Sequence, residues 1–239
     1  MKLHLYRLVF LFICCFCANT SKAQTYVGIQ GGVSVSKTPI RLDDDLFTLN
    51  QKSKHSVLYA LVIEHGLGKN IYLQSELQYF KEGSTLYKRD LDGTDFFYVI
   101  NDIKYLKLPL LLKYKLKFAD YLFYGLAGPS LSYALEGNSY FLMIDDRELN
   151  EQTVEKIDFT KSGISKFDSG IVFGAGLEKI IAKKVKLTLG FNYYYGFVNI
   201  GKQRGDTIFN ESQSFFIGAS IPLPEKNKKT SSKINQKTF

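Results

Sequence analysis

From residue 184 to residue 196 the chain alternates with a period of two. Val185, Leu187, Leu189, Phe191, Tyr193 and Tyr195 share one face, and Lys186, Thr188, Gly190, Asn192 and Gly196 share the other. A helix would scatter these sets around its circumference, whereas a strand sorts them onto opposite sides. Residues 167–178 repeat the pattern, with Phe167, Ile171, Phe173, Ala175 and Leu177 set against Asp168, Gly170, Gly174, Gly176 and Glu178. In residues 106–118 Leu106, Leu108, Leu110, Leu112, Tyr114, Leu116 and Phe118 oppose Lys107, Lys113, Lys115 and Lys117. Five more runs alternate with less contrast: 25–36, 56–66, 71–82, 121–135 and 214–223. All eight are long enough for a strand tilted across a membrane, which takes about 9–11 residues.

Alternation leaves open which face is buried, because a lipocalin-like soluble barrel alternates with its apolar side inward. The connections decide. Those after the second, fourth and sixth runs are short (67–70, 119–120 and 179–183), and those after the first, third, fifth and seventh are long (37–55, 83–100, 136–165 and 199–212). Short periplasmic turns alternating with long external loops are the outer-membrane pattern. The sequence therefore predicts an all-β fold, an eight-stranded antiparallel up-and-down transmembrane β-barrel with both termini on the periplasmic side. Its apolar face meets lipid, and with no Trp in the chain, 16 Tyr and 19 Phe supply the aromatic girdles. An eight-stranded barrel is just wide enough to be filled by side chains. Glycines make room there, and Glu64, Glu76, Asp168 and Glu178 are candidates to pair with Lys107, Lys113, Lys115 and Lys186. Pro109 removes a ladder donor from a strand that has no free edge, so a bulge or kink is expected at it.

The ends set the compartment and the domain limits. Lys2 and Arg7, an apolar run over residues 8–17 and small residues at Ser21 and Ala23 make a signal peptide of residues 1–23, too short in its apolar part to span a bilayer. Cleavage would leave Gln24 first and remove Cys14, Cys15 and Cys17, so the mature chain has neither disulfide nor thiol chemistry. Residues 24–223 form the barrel domain, and residues 224–239, with five lysines and one glutamate, a basic disordered periplasmic tail. The formal net charge of +8 does not indicate nucleic acid, which an exported chain does not meet.

Residues 105–114, Tyr-Leu-Lys-Leu-Pro-Leu-Leu-Leu-Lys-Tyr, resemble the fourth strand of the PorT-like outer-membrane β-barrel family. Residues 125–130, 170–178 and 193–200 are similar to its fifth, sixth and seventh strands, Phe197-Val198 departing mildly from the usual pattern. The likeness covers residues 24 to about 223 in order. It implies an eight-stranded barrel in the outer membrane and accounts for Pro109. The founding member serves a secretion system, but the barrel alone does not carry that role across.

No catalytic, cofactor-binding or metal residue is predicted. A lipid-cleaving Ser/His pair would draw on His65 and Ser75. A hairpin turning about Gly68 pairs His65 with Ile71 and Ser75 with Leu61, which leaves the two on the order of 13 Å apart and outside hydrogen-bond reach. His55 lies in or beside a loop. The pairs Gly31-Gly32 and Gly174/Gly176 lack the helix and Lys-Ser/Thr of a phosphate loop and read as small interior residues. Asp43, Asp44 and Asp45 are read as solvated, and no cofactor is implied. A sixth hairpin turning about Ile181 sets Glu178 against Lys184 at a hydrated rim and Gly176 against Lys186. The reading favoured is a non-enzymatic structural or interaction barrel, an accessory of a secretion or envelope system working through loops and tail. Its partners are outer-membrane lipid and envelope or secretion-system proteins. A small passive pore and a lipid-modifying enzyme stand behind it.

Overall fold

The computed structural model describes residues 24–38, 40–41, 50–89, 95–145, 148–181, 184–201 and 207–224. The signal peptide, the tail beyond Pro224 and Asp43–Asp45 fall outside them. Among the described residues there are twelve strands: β1 (Thr25–Lys37), β2 (Ile40–Arg41), β3 (Asn50–Gly66), β4 (Ile71–Glu82), β5 (Ser84–Arg89), β6 (Asp95–Phe118), β7 (Tyr121–Asp145), β8 (Glu148–Lys156), β9 (Phe167–Ile181), β10 (Val185–Gly196), β11 (Thr207–Ile208) and β12 (Glu211–Pro222). Eight of them close a barrel in the order β1-β3-β4-β6-β7-β9-β10-β12, and β12 pairs back onto β1. Every pairing is antiparallel, and because the ring closes no wall strand keeps a free edge for other chains to join.

The wall is an inverted protein. On β3, Val57, Tyr59, Leu61 and Ile63 are each more than half exposed, while Glu64 on the opposite face is 2% exposed. The same inversion runs through β6, where Leu108, Leu110 and Leu112 point outward and Lys107, Lys113 and Lys115 are buried. Only a hydrocarbon surrounding makes this arrangement stable, since in water it would expose the apolar face and desolvate the charged one. Phe118, Tyr121 and Phe123 ring the short-turn end, and Tyr79, Phe167, Tyr195 and Phe215 the other.

The long connections contain more strand than the alternation predicts. β6 runs for 24 residues and β7 for 25, well past membrane depth. On the long-loop side β5 bridges β3 and β6, and β8 adds to β7, giving an upper sheet in the order β3-β5-β6-β7-β8. β2 and β11 form a separate two-stranded ribbon.

No residue is inserted at Pro109, where a bulge or kink is expected, but the ladder is interrupted there on both sides of β6. Pairing with β7 keeps one register from Pro109↔Ser130 to Leu112↔Ala127, and the register shift falls between Lys104 and Tyr105, where the wall passes into the upper sheet. A closed wall absorbs the proline by skipping ladder pairs, at Leu108 and Pro109 toward β4 and at Leu110 and Leu111 toward β7, rather than by inserting a residue. Gly128 allows this, because a Cβ on it would lie 2.0 Å from the Leu110 carbonyl oxygen.

Candidate functional site

The barrel interior holds three layers of polar side chains, each delivered by the inward parity of a wall strand. Nearest the short turns, Glu64 of β3 and Glu178 of β9 face Lys113 and Lys115 of β6 and Lys186 of β10. Lys113 lies 2.9 Å from Glu64 and 2.5 Å from Glu178. Lys115 lies 2.6 Å and 2.7 Å from the same two carboxylates. Lys186 pairs with Glu64 and approaches Glu178 to 3.6 Å. Three cations meet two anions, and tyrosine rings take up the excess. The Nζ atoms of Lys113, Lys115 and Lys186 stand 3.9, 4.0 and 4.2 Å from the ring centroids of Tyr124, Tyr72 and Tyr26.

In the middle layer the Glu76 carboxylate accepts hydrogen bonds from the amides of Gln74 and Gln78. The third layer pairs Lys107 with Glu82 at 3.0 Å, and Ser212 donates to the same carboxylate. Lys107 also stands 3.4 Å from the centroid of Tyr194, whose hydroxyl donates to Asp168 Oδ2 at 2.8 Å, and the Asn210 amide donates to the same oxygen at 2.9 Å. Lysines thus answer the buried charges of Glu64, Glu178 and Glu82, and neutral hydrogen-bond donors those of Glu76 and Asp168.

Above the third layer the mouth is shut by carbon. Phe159, from the segment between β8 and β9, is 6% exposed and packs with Leu58, Phe80, Ile103, Tyr105, Ala134 and Phe216. A tight turn holds it in place. The Asp158 carboxylate accepts from the Thr160 hydroxyl and backbone N–H at 2.6 and 2.9 Å, and its carbonyl accepts from the Lys161 and Ser162 N–H groups. The Thr160 hydroxyl and then its N–H hold the exposed Asp158 carboxyl below the usual carboxylate range.

The structure sorts the residues singled out from sequence. Glu64 and Glu178 meet Lys113, Lys115 and Lys186 as expected, but Glu76 and Asp168 take neutral partners, and Lys107 is answered by Glu82. Glu178 lies opposite Thr188, not Lys184, and Gly176 lies opposite Gly190, because the β9–β10 hairpin turns two residues later than Ile181. Glu178 is accordingly fully buried and no rim charge. The β3–β4 hairpin also turns one residue late, pairing His65 with Leu73 and Ser75 with Ile63. The two are therefore diagonal neighbours, nearer than 13 Å but still about 7–8 Å apart between backbones. The His65 ring instead meets the Thr25 hydroxyl at 2.8 Å. His55 sits in β3 opposite Val35. Gly32, Gly174 and Gly176 are interior, whereas Gly31 takes the outward parity, beside Tyr59 and Ile217. Among the described residues no group of three His, Cys, Asp or Glu side chains is placed to hold a metal ion. Glu82 shares the parity of Glu76 in its own run and could have been read as interior. Nothing in the sequence marks Phe159 as the plug.

Comparison with known proteins agrees with this architecture. The sequence profile described as an outer membrane protein β-barrel domain matches residues 18–201. Among solved structures, Neisserial surface protein A from Neisseria superposes with a TM-score of 0.50 at 14% identity, over 84% of this chain and 99% of that one. The outer-membrane protein OprG of Pseudomonas aeruginosa gives 0.51 at 14% identity, over 84% and 97%. At such identity the likeness concerns the fold. No curated protein sequence matches.

Proposed function

The chain belongs to the outer-membrane protein β-barrel domain family, and from that premise we propose that it is a non-conducting, non-enzymatic anchor whose work is done by the sheet and loops it holds outside the cell. The observation that carries this reading is the filled interior. A solute entering from outside meets Phe159 and its apolar neighbours, then three layers of buried polar side chains, the outer and inner ones holding ion pairs and the middle one a Glu76 carboxylate bonded to two glutamine amides. Moving an ion through would require breaking buried pairs whose separation costs several kcal/mol. The upper sheet supports the other half of the reading. It extends the wall strands on the long-loop side, and among the described residues β8 pairs on one side only, with β7, which leaves its other edge open to a partner strand.

Residues 105–114 and the unshifted ladder around Pro109 support the finer placement as a PorT-like barrel. An accessory role in a secretion or envelope system fits that placement, with residues 1–23 removed on export and the basic segment after residue 224 in the periplasm. The reading is tested in planar bilayers. The purified barrel should give no unitary conductance, whereas stable ohmic openings would replace the anchor with a small pore. Crosslinking in intact cells, with the photoreactive group placed along β8, should then capture an envelope protein.

A further inference from the structure

The outer wall carries a trough. Two adjacent outward rows run across the strands near the short-turn end. The first passes through Tyr121, Lys179, Leu187, Ala219, Ile29 and Leu61, each pair in direct register. The second passes through Leu177, Leu189, Ile217, Gly31 and Tyr59. Where the rows cross β12 and β1 the side chains shrink to Ala219 and Gly31, between walls of Ile217, Ile29 and Tyr59 that stand 60% exposed or more. The hollow over them measures about 790 Å³.

The barrel does not need that glycine. A Cβ at Gly31 would meet nothing nearer than the Leu58 carbonyl oxygen at 4.0 Å, in contrast to its neighbour Gly32, where a Cβ would lie 2.1 Å from the Phe215 carbonyl oxygen. Gly31 also weakens a strand by having no side chain to pack. Its smallness therefore serves the outside of the wall.

The lower end of the trough is cationic. Lys179 lies there, its Nζ 4.8 Å from the centroid of the Tyr121 ring, and among the described residues it forms no ion pair. Lys69, Lys117 and Lys184 are exposed at the same rim, with Asp120 the exposed acid among them. From β9 to β3 the trough crosses four strand spacings of about 4.8 Å, roughly 19 Å in all. At a barrel tilt of 35–45° it climbs about 11–13 Å, close to the ~15 Å of hydrocarbon in one leaflet.

We propose that this trough is a binding site for an anionic phospholipid of the periplasmic leaflet, with one acyl chain lying over Ala219 and Gly31 and the phosphate held by Lys179. A basic rim selects the anionic headgroup, and the hollow selects a chain running up from it. The proposal goes beyond the closed-anchor reading and is independent of it, since it needs only the outer wall.

Native mass spectrometry of the purified full barrel in detergent tests it, with added phosphatidylglycerol or phosphatidylcholine carrying the same acyl chains. One phosphatidylglycerol should be retained at about fivefold higher occupancy than phosphatidylcholine, the worth of one lysine at a lipid surface. Lys179→Gln should abolish that preference, and Lys156→Gln, exposed at the end of β8 on the long-loop side, should leave it. Gly31→Leu should fold, as judged by heat-modifiable gel mobility, and retain neither lipid. Equal retention of the two lipids by the wild type, or no effect of either Lys179→Gln or Gly31→Leu, would overturn the proposal. So would a dimer that Gly31→Leu dissolves, because a second copy would then be the occupant.

Discussion

Glu178→Gln removes one negative charge from the most deeply buried cluster and leaves the side chain's shape nearly unchanged. In the native barrel Glu178 is 0% exposed and receives Lys113 at 2.5 Å and Lys115 at 2.7 Å, with Lys186 at 3.6 Å. After the substitution three lysines share the single carboxylate of Glu64, because Glu76 is engaged by Gln74 and Gln78. Removing one partner of a buried ion pair costs about 3–5 kcal/mol, most of it the desolvation of the charge left behind. The lower end is expected here, since glutamine still accepts a hydrogen bond and the Tyr124, Tyr72 and Tyr26 rings remain beside the lysines. Urea unfolding of the barrel in lipid vesicles measures the difference against wild type. The double variant Glu178→Gln with Lys115→Gln should recover at least about 1 kcal/mol, a coupling within the range for residues in one network. Glu136→Gln, which breaks the exposed pair with Lys104, should leave the midpoint unchanged. A cost for Glu178→Gln of about 1 kcal/mol or less, with no rescue, would mean that the cluster is hydrated like a surface pair, and the sealed interior would be wrong.

The remaining predictions concern the wall, the turns and the compartment. Leu189→Arg, outward on β10, should destabilise by about 2–4 kcal/mol. A nitroxide at 189 should be relaxed by lipid-soluble oxygen and one at Thr188 should not; the reverse pattern would exchange inside and outside. Gly176→Leu should cost about 1–3 kcal/mol or more by overpacking, because even a Cβ there would lie 2.3 Å from the Leu189 carbonyl oxygen and 2.5 Å from the Tyr124 hydroxyl. Ala119→Gly should stabilise by about 0.5–1 kcal/mol in the same urea assay, since Ala119 holds φ at 51° in the left-handed region that glycine enters without strain. The precursor should be cut before Gln24 and fractionate with the outer membrane, showing heat-modifiable mobility; a soluble periplasmic product would refute the outer-membrane reading.

What could be read from the sequence was whatever depends on parity. The strands of the wall, the outward leucines of β6 and the inward lysines 107, 113 and 115 all follow from a period of two, and hydrocarbon outside makes that period strict. What escaped depends on turn geometry and on water. A hairpin shift of one or two residues leaves every local pattern intact, yet it carried Glu178 from a hydrated rim into a sealed cluster and brought His65 nearer Ser75. β5, β8 and the upper part of β6 stand in water, where neither face is forced to be apolar. In residues 95–100, Asp-Phe-Phe-Tyr-Val-Ile, the alternation accordingly fails and a loop was expected. Phe159 escaped for a third reason, because its burial is a tertiary contact between a turn and the barrel mouth.

The lower charge cluster also says something about how the protein enters its membrane. Lys186 and Glu64 are 122 residues apart in the chain, Lys113 and Glu178 are 65 apart, and Lys113 and Glu64 are 49 apart. The Lys107–Glu82 pair, by contrast, joins neighbouring strands across only 25 residues. Any half-inserted intermediate that holds β3 to β7 but lacks β9 and β10 would present Lys113 and Lys115 to hydrocarbon with Glu178 still missing. Such a species is penalised by several kcal/mol per bare charge, so strands cannot cross singly and wait for their partners. Concerted and slow insertion is therefore expected, given contacts of such sequence separation. The expected route is a nearly closed ring whose ion pairs meet in the aqueous interfacial zone before the strands cross.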